Sequence, residues 1–410
     1  MKLHATIACL VTLFFLQPSL SHSNPLEKNL AALEASIGKI KDHDLKATSY
    51  RHLAKNCRIS GLPKKATGFL EAAAKVLEEK ISGISNSWEE VSEITKEFAL
   101  LGEFQKAESM LGEILHSRFQ NRARLTLIRA YLKAGKVGEA RKVNSQNYHR
   151  IDRAIGLSTI ISALKGSTEH SPLDDLKELE QLLQNISYIP DRAAIAKILV
   201  EATKQVAPEK TGRFQEAARL YLEQVEKPIH LLRLYHQVLQ VKSLKNSESL
   251  RLIDDSILLS NKIQQLDQRI ILLGDFGIDA FTLEAHDKGI QIIDKIQETV
   301  KKVQVKVYRD TTIMRVVLEL NAFAEHTLFS QPRFRNWAED ITNPLRKDRV
   351  NLWIATQLAY SGDVRAAREI FEKIQDSDVK QAGGVLYFLH ALRSKNPTKE
   401  SLGNLKRLLN

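Results

Sequence analysis

Residues 98–111 read FALLGEFQKAESML, and this stretch decides the fold. Gly102 follows an apolar run and suits the left-handed backbone position that ends a helix. Ala107 stands five residues later, and Leu111 lies one helical turn beyond it on the same face. The stretch therefore predicts two antiparallel helices that turn at Gly102 and cross closely at the small Ala107 side chain.

The same pattern recurs along the chain. Its five copies are GLPKKA (61–66), GEFQKA (102–107), GKVGEA (135–140), GRFQEA (212–217) and GDVRAA (362–367). Four copies carry Phe or Val two residues after the glycine, and four carry a large apolar side chain four residues after the alanine. The third copy has Asn144 at that last position. Five copies in a helical context predict five helix hairpins, each with its glycine at the corner.

This arrangement resembles the tetratricopeptide repeat, a helix-turn-helix unit of 34 residues with Gly, an aromatic and Ala at matching positions. Gly102 and Gly135 are 33 residues apart, close to that period. The resemblance covers residues 45–146 and 346–376 and is weak between 226 and 345. It implies an all-α fold, a right-handed α-solenoid of antiparallel helix hairpins with a concave inner face. Only 18 glycines and 10 prolines in 410 residues also favour a helical chain.

Periodicity and turn residues divide the chain further. We predict a signal peptide at 1–23, repeats at 24–165, degenerate repeats at 166–331, an irregular connection at 332–345, and a last repeat with capping helices at 346–410. Within these segments, apolar periodicity predicts one helical stretch over 270–296, one long helix over 306–328 and a terminal helix over 399–409.

Residues 1–23 resemble a secretory leader: Lys2 precedes the apolar run ATIACLVTLFFL (5–16), and small-x-small cleavage sites follow Pro18. The run of twelve is shorter than the roughly 20 residues that span a bilayer. We therefore expect an exported protein, periplasmic or secreted, with no transmembrane segment after cleavage. Only Cys57 would then remain, so we expect no intramolecular disulfide.

Sequence motifs for enzymatic chemistry are missing. The chain has no GxxxxGK[ST] or GxGxxG phosphate loop, no HExxH and no GxSxG. Adjacent acidic pairs such as Asp254-Asp255 point about 100° apart on a helix and form no carboxylate dyad. We expect no enzymatic activity, no cofactor and no metal.

The remaining candidate is a binding surface on the concave side. Positions three, six, ten and thirteen before each glycine would line it, and they are mostly basic. The predicted groove residues are Arg51, Lys55, Arg58, Lys96, Arg122, Arg129 and Arg349, with Glu89 as the one acidic member. The resemblance implies a groove that holds peptide carboxylates, which arginine binds in bidentate fashion. The alternative is an ordinary solvated helix face in a protein of net charge +11.

Three functions fit these patterns. The first is an exported scaffold or adaptor that binds another protein or peptide, with acidic segments favoured by the groove. The second is a helper or non-catalytic module of an envelope or cell-wall processing system. The third is a pentatricopeptide-like RNA binder, which the basic charge permits and the leader disfavours. We expect no nucleic-acid partner, and the sequence leaves the oligomeric state open.

Overall fold

The computed structural model describes residues 25–79, 88–167, 170–241, 246–323 and 336–392. These residues form nineteen α-helices and short 3₁₀ turns, with no β-strand among them. This confirms the predicted all-α class, and the paired helices fit a tetratricopeptide-like repeat. The predicted leader (1–23) and terminal helix (399–409) lie outside these ranges.

The helices form an inner and an outer layer. The inner helices are α2 (His43–Ile59), α4 (Trp88–Leu101), α6 (Ser117–Lys133), α8 (Arg150–Leu164), α10 (Ile189–Val206), α12 (Pro228–Leu239), α14 (Leu266–Thr282), α16 (Lys306–Phe323), α17 (Pro344–Ser361) and α19 (Ser377–Leu392). The outer helices are α1 (Pro25–Gly38), α3 (Pro63–Glu78), α5 (Phe104–Glu113), α7 (Val137–Ser145), α9 (Leu173–Gln184), α11 (Thr211–Glu223), α13 (Asn246–Ser260), α15 (His286–Val300) and α18 (Val364–Glu372).

Four of the five predicted corner glycines lie at corners. Gly61, Gly102, Gly135 and Gly362 have φ of 75°, 80°, 74° and 89°. At Gly102 its own N–H donates to the carbonyl of Ala99 (3.1 Å), and the N–H of Glu103 donates to the carbonyl of Phe98 (3.0 Å). The other three corners repeat this pair of bonds, which satisfies carbonyls left open at the end of the helix.

The fourth copy of the motif is one residue out of register, so its glycine prediction was wrong. Gly212 is the second residue of α11 and not a corner. The chain turns instead at Ala207 and the 3₁₀ turn Pro208–Lys210, because Pro208 has no N–H with which to continue α10. Ala218, only 2% exposed, is the small buried residue of this hairpin, whereas Ala217 is partly exposed.

A further corner lies where the sequence predicted continuous helix over 270–296. Glu284 has φ 60° and ends α14, with the same two hydrogen bonds as the glycine corners (Glu284 N–H to Phe281 and Ala285 N–H to Ala280). Gly289 follows five residues later, in the place that alanine holds elsewhere. A Cβ there would lie 2.5 Å from Cζ of Phe281, so only glycine fits beneath that ring. At this hairpin a glutamate occupies the corner and a glycine occupies the alanine position, so the sequence pattern did not match it.

Asn144 explains the irregular third copy. Its side chain is 1% exposed and donates a hydrogen bond of 3.1 Å to the carbonyl of Arg153 on α8. It lies against Gly156, where an added Cβ would be 1.9 Å from Oδ1 of Asn144. A polar side chain and a glycine on the next helix thus replace the usual apolar contact.

The inner helices form a closed ring. Each packs against the next in chain order from α2 to α19, and α19 packs against α2. Helix α1 packs against α19 and takes the place of its outer helix. At this junction the Asp378 carboxylate accepts the backbone N–H groups of Lys41 (3.3 Å) and Asp42 (3.0 Å). The resemblance implied a solenoid with a concave inner face, and packing between the two ends of the described chain closes this solenoid into a ring.

The array is continuous through the segment where the repeat pattern is weak. Helices α10, α12, α14, α16 and α17 pack in succession. In the predicted connection at 332–345, residues 336–340 form a 3₁₀ turn with Trp337 buried, α17 begins at Pro344, and 332–335 lie outside the described ranges. Across the described helices, none is both long and apolar enough to cross a bilayer.

Candidate functional site: a charged cavity inside the ring

A cavity of about 700 Å³ lies on the inner side of the ring. Its walls come from α4, α6, α8, α12, α13 and α14, together with the loops before α8 and after α12 and α14. This volume falls within the range of about 300–1,000 Å³ that is usual for ligand sites. Much of the lining is charged, with three cations together on one wall and carboxylates on the opposite wall and at the start of α8.

The basic wall is formed by Lys96 of α4 with Arg122 and Arg129 of α6. Lys96 pairs with Glu93 on its own helix at 2.6 Å. Burial raises the pKa of Glu93, but Lys96, Arg51 and Arg122 more than offset burial and hold that pKa at about 2. The single carboxylate of Glu93 thus interacts with three cations, so this wall has an excess of positive charge.

Arg129 differs from the other cations of the wall. Its Nε is buried and has no hydrogen-bond partner, and no carboxylate of the described chain forms an ion pair with it. Burial lowers its pKa, and no opposing carboxylate raises it. Because a desolvated charge without a counter-ion is costly, Arg129 is the position in the cavity best suited to receive an anion.

The opposite wall carries carboxylates that already have partners. Asp275 of α14 pairs with Arg118 at the start of α6, which joins two inner helices that are not neighbours in the ring. Asp279 accepts from Nδ1 of His236 (2.7 Å) and from Nε2 of Gln240 (2.9 Å). Burial lowers the pKa of His236, but Asp279 and Asp275 outweigh burial and raise it to about 9. The imidazole is therefore protonated at neutral pH.

Asp152 lies at the start of α8, beside the basic wall. Asn121 of α6 donates a hydrogen bond to its carboxylate. Burial raises the pKa of Asp152, although His149, Arg124 and His236 act in the opposite direction. Nη1 of Arg124 donates a hydrogen bond to Oδ1 of Asn147 (2.8 Å). Asp152 thus accepts a hydrogen bond from a neutral amide and, among the described residues, forms no ion pair.

Only three of the seven predicted groove residues line the cavity: Lys96, Arg122 and Arg129. Arg51 forms ion-pair hydrogen bonds to Glu90, one of them 3.1 Å, and Arg58 pairs with Glu97 at 2.8 Å. Arg349 pairs with Asp42 at 2.6 Å, across the ring junction. Lys55 is partly buried on α2 and has interactions of its own. The first inner helices thus place carboxylates between the predicted cations.

Sequence reasoning missed the acidic half of the cavity. These residues lie outside 45–146 and 346–376, which the resemblance covers, and they reach the cavity through packing of helices distant in sequence: Asp152, His236, Asp275 and Asp279. Glu93 and Glu97 stand nine and five residues before Gly102, next to the positions predicted to line the groove. The repeat register passes these two carboxylates by one position, so Glu89 was the one acidic residue predicted on that wall.

A second depression lies on the outer side, between α10, α11 and α13. It also contains cations, but these have partners close by. Lys204 pairs with Glu201 at 2.5 Å, and Arg219 pairs with Glu216 and Glu223 on its own helix.

No group of three or more His, Cys, Asp or Glu side chains in the described ranges is arranged to hold a metal ion.

Comparison with known proteins yields no relative in sequence: no family model and no curated protein matches the chain. Among solved structures, Ton1535 from Thermococcus onnurineus NA1 aligns over 72% of this chain and 98% of its own, at 12% identity and a TM-score of 0.29. A monomeric mutant of IFIT1 with Gppp-AAAA aligns over 92% of this chain and 90% of its own, at 13% identity and a TM-score of 0.24. Both TM-scores are below 0.5, so neither alignment indicates a fold or a function for this chain.

Proposed function

We propose that this protein is an exported scaffold that holds an extended, acidic segment of another polypeptide in the ring cavity and performs no catalysis. The helical-repeat fold is consistent with a protein-interaction scaffold. The observation that carries the proposal is Arg129, a partly buried guanidinium without a carboxylate partner in the described chain, on a wall shared with Lys96 and Arg122.

The charge balance of the cavity supports an acidic ligand over a basic one. Asp275 and Asp279 are each paired with a cation from another helix, whereas the cations of the basic wall outnumber their carboxylates. An incoming carboxylate would accept bidentate hydrogen bonds from a guanidinium, and low solvent access strengthens such bonds. Export follows from the leader predicted at residues 1–23.

The test is fluorescence anisotropy with a labelled decapeptide of alternating Glu and Gly, compared with the same peptide carrying Gln for Glu. We expect the Glu peptide to bind. Its affinity should fall as salt rises from 50 to 150 mM, because its contacts are ionic. The triple variant Lys96→Gln, Arg122→Gln, Arg129→Gln should lose about tenfold or more in affinity. A matched control replaces three exposed cations, Lys64, Lys142 and Arg365, by Gln.

Equal binding of the Glu and Gln peptides would contradict the proposal, as would equal losses in the two triple variants. Labelled single-stranded RNA serves as a further arm. Tight RNA binding that the cavity variant abolishes, with no binding of the Glu peptide, would support the RNA-binding alternative. Export is tested separately, by fusing residues 1–23 to a reporter enzyme that is active only outside the cytosol.

A further inference from the structure

The cavity contains two poorly compensated charges of opposite sign, Arg129 and Asp152. Both line the cavity, and their spacing can be judged from positions along helix α6. Asn121, the hydrogen-bond donor to Asp152, precedes Arg129 by eight residues on this helix. At a rise of 1.5 Å per residue, the two levels are roughly 12 Å apart along the helix axis.

Each of the two charges is suited to a ligand group of opposite sign. Arg129 has no carboxylate partner among the described residues, and its Nε is buried without an acceptor. Asp152 accepts from a neutral amide, and burial outweighs the cations around it. An anion at Arg129 and a cation at Asp152 would each reduce a desolvation penalty that the protein bears by itself.

We propose that the cavity binds a short, extended peptide segment with a cationic amine at Asp152 and a carboxylate, three or four residues further along, at Arg129. The length matches the axial spacing of roughly 12 Å between the backbone positions of Asn121 and Arg129, because an extended chain spans about 3.3–3.6 Å per residue. This inference rests on the proposed function in placing a polypeptide ligand in the same cavity. It adds the identity of the ligand's two ends and the distance between them.

Two sources could supply this pair of charges. One is a free tetrapeptide, with its own amino and carboxyl termini. The other is the carboxyl-terminal tail of a longer chain with Lys or Arg near its fourth residue from the end. The cavity chemistry is the same for both, so the experiment has to separate them by chain length and by end blocking.

The experiment is isothermal titration of the full chain with tetra-alanine in four forms: free, N-acetylated, C-amidated and blocked at both ends. An N-acetylated octapeptide ending in Lys-Ala-Ala-Ala with a free carboxylate represents the tail. We expect each free end to improve affinity by about ten- to a hundredfold, as expected for a charged hydrogen bond. Arg129→Gln should remove only the advantage of the free carboxylate, and Asp152→Asn only that of the free amine.

Matched controls are Arg365→Gln and Asp267→Asn, both at exposed positions outside the lining of the cavity. Circular dichroism and thermal melting check that every variant is folded, and the pairing of each variant with one ligand end separates contact from general damage. Affinities that do not depend on end blocking would overturn the inference, and so would loss of both end effects in either variant. If the acidic decapeptide binds while end blocking has no effect, the proposed function stands and this inference fails.

Discussion

Gly156→Ala tests the packing between the third hairpin and the next inner helix. Alanine is normally favoured over glycine inside a helix by about 1 kcal/mol. Here, however, the new Cβ would lie 1.9 Å from Oδ1 and 2.6 Å from Cγ of Asn144, which is 1% exposed, so this buried side chain must shift. Overpacking costs about 1–3 kcal/mol, and loss of the buried amide hydrogen bond about 1–3 kcal/mol more. The net expectation is a loss of about 3 kcal/mol in the free energy of unfolding.

Urea denaturation followed by circular dichroism measures this change. Gly68→Ala is the matched control, because Gly68 lies inside α3 with nothing within 4 Å of the added Cβ. That variant should gain about 1 kcal/mol from helix propensity alone. Adding Asn144→Ala to Gly156→Ala should recover part of the lost stability by removing the clash. If Gly156→Ala stabilises the protein as Gly68→Ala does, the description of this contact is refuted.

Three further expectations follow from single side chains. Glu284→Gly should raise the melting temperature, since the left-handed backbone at φ 60° costs a non-glycine residue about 1 kcal/mol; an unchanged or lower value would contradict this. His236 has a pKa raised from 6.5 to about 9, so its stabilising contribution should be complete below pH 6.5 and vanish as pH rises to about 9; His236→Gln should flatten stability measured across that range. Asp378→Ala should leave two backbone N–H groups without their acceptor, and hydrogen exchange of α1 and α19 should accelerate while that of α8 stays unchanged.

Local patterns in the sequence were sufficient for most of the helices and corners. Apolar periodicity and corner glycines depend on interactions within a few residues, so Gly61, Gly102, Gly135 and Gly362 were found by spacing alone. The corner at Glu284 was missed because its hydrogen bonds, not its residue types, match the other corners. In the hairpin of the fourth motif copy (α10–α11), Pro208 moved the turn and shifted the buried alanine by one position.

The candidate site could be predicted only in part. The repeat register identified Lys96, Arg122 and Arg129, which lie on one wall of the cavity. Their partners and the facing carboxylates depend on which helices meet across the ring. The pair Arg118–Asp275, for example, joins residues 157 positions apart in sequence. No local pattern contains such a pairing, because it arises from the summed rotation of successive hairpins.

Closure of the ring changes how stability is distributed along this molecule. In a linear array the terminal units have a single neighbour and unfold first, so they need polar caps. Here α2 and α19 each have two inner neighbours, and α1, early in the chain, covers a helix near the opposite end of the described sequence. Synthesis from the amino end would leave α1 without this contact until α19 has emerged. The first and last helices of the array should accordingly unfold together and not independently.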